Sequence, residues 1–76
     1  MSKLCELNCQ QTGQISHIAK HLTEDFLSYG IFPGIRIKVI HKLPFKGPVV
    51  IEIRDCTLSL RYNDAKNITL SDISND

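Results

Sequence analysis

The chain has 76 residues, 24 of them Leu, Ile, Val or Phe, which excludes a multidomain enzyme on one side and a disordered segment on the other. Nine Lys and Arg against eight Asp and Glu leave a formal charge of +1, far from the basic excess that a dedicated nucleic-acid binder sets against phosphate. The longest apolar run, Val49-Val50-Ile51, is strand-sized, well short of the roughly 20 residues a membrane helix needs. Glu6 and its polar neighbours stand where a signal peptide would put its apolar core. The three cysteines, Cys5, Cys9 and Cys56, are odd in number and lack a framework spacing, so free thiols in a reducing cytoplasm are expected.

Ile15-Ser16-His17-Ile18 reads as a short strand after Gly13. In the segment from Leu22 to Gly30, Thr23 is placed to cap a short amphipathic helix whose first turn carries Glu24 and Asp25 at the positive end of the dipole. Leu22 and Leu27 stand at the positions that clasp a helix entry, and Gly30 supplies a left-handed stop. Pro33-Gly34 fits the centre of a type II turn. From there the pattern alternates: Ile35, Ile37 and Val39 share one face, then Val49, Ile51 and Ile53, the two runs forming a hairpin across Lys46-Gly47-Pro48. Asp55-Cys56-Thr57 connects tightly to Leu58-Ser59-Leu60-Arg61, and residues 63–67 make one helical turn before Ile68-Thr69-Leu70.

Residues 71–76 are polar and expected to fray. Five short strands with bare edges are unstable as a flat sheet, so the expectation is a single domain over residues 1–76, mainly β: an SH3-like barrel of about five strands with one short helix packed on it. Its core is expected to hold Ile15, Ile37, Val39, Ile51, Ile53, Leu58, Leu60 and Ile68, with Leu22 and Phe26 of the helix laid against them.

No catalytic motif or phosphate loop is present, so no enzyme activity and no cofactor are expected. Cys5 and Cys9 with a histidine such as His17 would suit zinc or ferrous iron by chemistry, but no second ligand pair follows, and no metal site is assigned. His17 and His21 are four apart, a ligand spacing only on a continuous helix. Arg36, Lys38, Lys42 and Lys46, joined by His41, form a basic stripe on the first hairpin that suits RNA, anionic lipid or an acidic protein, or simply a solvated edge.

The segment Leu27-Ser28-Tyr29-Gly30-Ile31-Phe32-Pro33-Gly34, then Gly47-Pro48, Leu58-Ser59-Leu60-Arg61 and Ala65 with Ile68, resembles the FeoA family of small ferrous iron transport accessory proteins over about Leu4 to Leu70. The resemblance implies an SH3-like fold and a cytoplasmic protein that works with the cytosolic GTPase-bearing region of a FeoB-type ferrous iron transporter, reaching the membrane only through that partner and binding no nucleic acid. Asp55 departs from the glycine the family commonly places before the last long strand, which calls for a positive φ at Asp55. Leu27, Tyr29, Phe32 and Phe45 are the candidate partner-binding residues, Phe32 being the most direct to test. Phe32 and Phe45 either project as anchors or fold back as lids over the barrel ends. The alternatives to an adaptor are a metal-handling protein using Cys5 and Cys9 and, third, a small nucleic-acid-binding barrel.

Overall fold

The computed structural model describes residues 1–75. Six strands, β1 (Ser2–Lys3), β2 (Gln11–Ile18), β3 (Arg36–Lys42), β4 (Val49–Ile53), β5 (Cys56–Leu60) and β6 (Ile68–Asn75), form one antiparallel sheet in the order β1-β6-β2-β3-β4-β5. A flat six-stranded sheet would be a slab a single layer thick. The chain instead measures 26 × 25 × 24 Å, so the sheet coils round its own apolar face, helped by bulges between Val39 and His41 and along the β2–β6 pair. A helix α1 (Thr23–Ser28) and a one-turn helix α2 (Tyr62–Ala65) pack on it, with 3-10 turns at Leu4–Glu6 and Lys20–Leu22.

The alternation read from the sequence sets the core. Ile35, Ile37, Val39, Val49, Ile51 and Ile53 are all buried, with Ile15, Phe26, Leu60 and Ile68. Leu58 and Leu22 are only half-buried against this cluster. The core also takes Leu4 and Leu7, at 0% and 2% exposure, from an N-terminal segment with no regular period. Among the described residues no polar or charged side chain is buried, so the interior is held by apolar burial alone.

Three expectations are corrected. Ser71–Asn75 does not fray: it continues β6, with Ser71 opposite Gln14, Ser74 opposite Thr12 and Asn75 opposite Gln11. Ladder bonding needs no apolar side chains, and Ile73 packs against the core while the Gln11 amide donates to Asn75 Oδ1 at 2.7 Å. Asp76 lies outside the described residues. Thr23 is the first residue of α1 rather than its cap, because the preceding 3-10 turn leads directly into the helix, and its hydroxyl donates to the Ala19 carbonyl at 3.3 Å. The sheet has six strands, not five, because Ser2 and Lys3 add a short edge beside Leu70 and Thr69.

Candidate partner-docking groove

The end of α1 is fixed by backbone bonds. Gly30, at φ +82°, adopts the left-handed stop. The Ile31 amide then donates to Phe26 O at 2.9 Å and the Gly30 amide to Leu27 O at 3.0 Å, the paired closure of a Schellman motif, with Ile31 and Phe26 both buried as its apolar contact. Pro33 and Gly34 (φ +101°) form the centre of the next turn, closed by the Ile35 amide on Phe32 O. The Gly34 amide donates to Ile15 O at 2.7 Å, tying the turn to β2. A rigid frame thus holds Tyr29, which is 60% exposed.

Tyr29 stands beside β5, an outer strand of the sheet with β4 as its partner. Two adjoining cavities run between them. One, of about 270 Å³, is lined by Phe26, Tyr29, Leu58, Leu60 and Arg61 among others; the second, of about 290 Å³, by Tyr29, Gly30, Ile53, Arg54, Cys56 and Leu58. Tyr29 and Leu58 wall both. The result is a groove with an apolar floor, one phenol, and a cation towards each end: Arg61, with Asp64 at 3.7 Å, and Arg54.

The other expected contact residues separate. Leu27 is 58% exposed on α1 and lines neither cavity, whereas Leu22 packs on the core. Phe32 is half-buried against the core, with the Arg54 guanidinium 5.5 Å above its ring; it is a lid, and truncating it disturbs packing as well as surface. Phe45 is the opposite, 99% exposed on the β3–β4 loop and away from the groove. In the sequence, Leu58 and Ser59 of β5 read as strand and family-motif residues, Leu58 as core, and neither as part of a contact surface. Nothing in a single sequence marks a strand as an outer one, so the groove wall they form was missed.

The basic stripe divides: Arg36 and Lys38 line one shallow cleft with Glu52 and Asp55, and Lys46 lines another. Arg36 donates to Thr12 Oγ1 and Asp72 O, both at 3.0 Å, Lys38 pairs in register with Glu52, and Lys42 Nζ donates to Cys5 O at 2.9 Å. The cysteines are free, and among the described residues no group of three or more His, Cys, Asp or Glu side chains is placed to hold a metal ion. His17 lies on β2 and His21 in the 3-10 turn, so they share no continuous helix. Tyr62 lies against Cys5, whose charge and hydrogen bond push the phenol above its ordinary 10.0. Among the described residues no helix is long and apolar enough to cross a membrane.

The family model of the FeoA domain matches residues 2–72. The chain belongs to the FeoA domain family. Membership implies an accessory role in ferrous iron transport. An iron uptake regulatory protein, FeoA, solved by crystallography is 22% identical, with a TM-score of 0.81, 91% of this chain and 92% of that one being covered. A FeoA-like protein from Clostridium acetobutylicum is 25% identical over 92% of this chain and 84% of its own, with a TM-score of 0.81. FeoA of Stenotrophomonas maltophilia, solved with zinc and described as a procaryotic SH3 domain protein, is 18% identical with a TM-score of 0.74, covering 93% and 91%. The fold of this FeoA domain is accordingly SH3-like. No curated protein matches the chain.

Proposed function

We propose that this FeoA-domain protein is a non-enzymatic, cytoplasmic accessory of ferrous iron uptake that docks on the cytosolic region of a FeoB-type transporter through the groove between α1 and β5. The observation that carries this is the pairing of a rigidly held, exposed Tyr29 with an outer sheet strand. An outer strand offers main-chain donors and acceptors to an extended segment of another protein, while pockets along it receive alternate side chains. Arg54 and Arg61 add a preference for acidic residues at the ends of such a segment. Tyr29 is the aromatic anchor, a residue type that commonly dominates small interfaces.

The structure changes which substitution tests this. Because Phe32 is packed on the core, the exposed Tyr29 is the better probe. In cells dependent on this protein for ferrous iron uptake, Tyr29→Ala is expected to lower uptake while leaving the folded protein at normal abundance. Normal uptake with Tyr29→Ala removes the groove from the interface.

A further inference from the structure

A second cleft lies behind the β3–β4 loop and shares Arg61, but not Tyr29, with the α1–β5 groove. It has a volume of about 340 Å³ and is lined by Lys46, Pro48, Arg61, Tyr62, Asn63 and Lys66. Three of the six are cations and none is an acid. The exposed Lys46 ammonium is 5.9 Å from the centre of the Tyr62 ring, at the mouth of the cleft. Asp64 approaches Arg61 at 3.7 Å, and counting it in full still leaves two positive charges in excess. Glu6, whose charge is felt at Tyr62, accepts from the Lys3 amide at 2.9 Å, and counting it as well leaves one positive charge in excess.

One residue before Lys46 stands Phe45. It is 99% exposed, with Leu43 of the same loop 43% exposed. Phe45 and Lys46 both have φ of +59°, a conformation unfavourable for side chains of this kind. The loop thus presents an aromatic ring outward with no compensating burial in the fold.

We propose that this tip and the cleft behind it are a docking site for an anionic lipid surface, Phe45 entering the headgroup boundary while Lys46, Arg61 and Lys66 take lipid phosphates. An acidic protein segment would neutralise the same cations, but it would also have to supply a pocket shaped to a convex, fully exposed phenylalanine. A bilayer meets both demands with one surface, since it accepts a protruding aromatic without a complementary cavity and concentrates phosphate at the depth of the neighbouring lysine. The proposal does not rest on the groove at Tyr29.

The test is co-sedimentation of the whole protein with vesicles of phosphatidylcholine alone or of equal parts phosphatidylcholine and phosphatidylglycerol, at low and at raised salt. Binding to the anionic vesicles, weakened by salt, is expected, with Lys66→Glu and Phe45→Ser each reducing it by roughly fivefold or more. Both residues are exposed, and unchanged circular dichroism excludes misfolding as the cause. Tyr29→Ala is expected to leave vesicle binding intact, which separates this site from the docking groove. Equal binding to both vesicles, no binding, or full binding by Phe45→Ser overturns the proposal. Release by inorganic phosphate at matched ionic strength assigns the cleft to a free anion instead. Capture of polyglutamate by a protein that ignores vesicles assigns it to an acidic protein; either result also overturns it.

Discussion

Arg54 and Asp55 form the two-residue connection between β4 and β5, with Ile53 paired to Cys56 and φ of +48° and +66° at the two turn positions. Two left-handed residues in a two-residue hairpin define the I′ geometry, which favours glycine at the second position. Asp55→Gly is therefore expected to raise stability, by about 1 kcal/mol, in urea denaturation; an unchanged or lower midpoint contradicts the strain assigned to this turn. The positive φ at Asp55 was legible through the resemblance to the family, but the turn is Arg54-Asp55 rather than the expected Asp55-Cys56-Thr57, since Cys56 and Thr57 already pair in β5. Tyr62 supplies a pH-dependent case. Its pKa is raised above 10.0, first by the charge of Cys5 and next by their hydrogen bond. With the folded value above the unfolded one, the neutral phenol favours the fold. This contribution is present below about pH 10 and lost as pH rises through the folded pKa. Cys5→Ser is expected to bring phenolate absorbance at Tyr62 to lower pH, and a Tyr62 titration unmoved by that substitution contradicts the contact.

Among the elements, the strands with one clean apolar face were legible. Ile35, Ile37 and Val39 against Val49, Ile51 and Ile53 gave both the pairing and the buried side, because a period of two leaves only one way to hide six large side chains. The end of α1 was legible too, since Gly30 and Pro33-Gly34 require particular dihedrals. The second half of β6 was not. Ser71, Asp72, Ser74 and Asn75 carry no apolar signal, and their pairing with Gln11, Thr12 and Gln14 comes from β2, some 60 positions away in the chain. Gly13 belongs to the same pairing: a Cβ there would lie 2.9 Å from Ile73 Cδ1 and 3.2 Å from Leu70 Cβ, so the absent side chain lets β6 close onto β2. Truncation after Ser71 removes the Thr12–Ser74 and Gln11–Asn75 pairs, the burial of Ile73 and the Asp72 carbonyl that receives Arg36. It is expected to cost on the order of 1 to 3 kcal/mol in chemical denaturation. A truncated protein as stable as the full chain returns residues 71–75 to the status of a loose tail.

At the scale of the molecule, sixteen buried apolar residues among the described ones form one cluster, and the three cysteines are free. Such a core is expected to fold without metal: treatment with chelator should leave the thermal transition in place, and its loss would revive the metal-handling alternative built on Cys5 and Cys9. The candidate site was only half legible. The helix end that carries Tyr29 was legible from local patterns, whereas the groove depends on which strand is left outermost when the sheet coils, a property of the whole topology rather than of any segment. The central claim is that the groove between α1 and β5 docks on a FeoB-type transporter. It is tested most directly by titrating the transporter's isolated cytosolic region with the wild-type protein and with Tyr29→Ala, both shown to be folded by circular dichroism. Saturable binding weakened by roughly tenfold or more by Tyr29→Ala is the predicted result; equal affinity of the two proteins, or no binding by either, contradicts it.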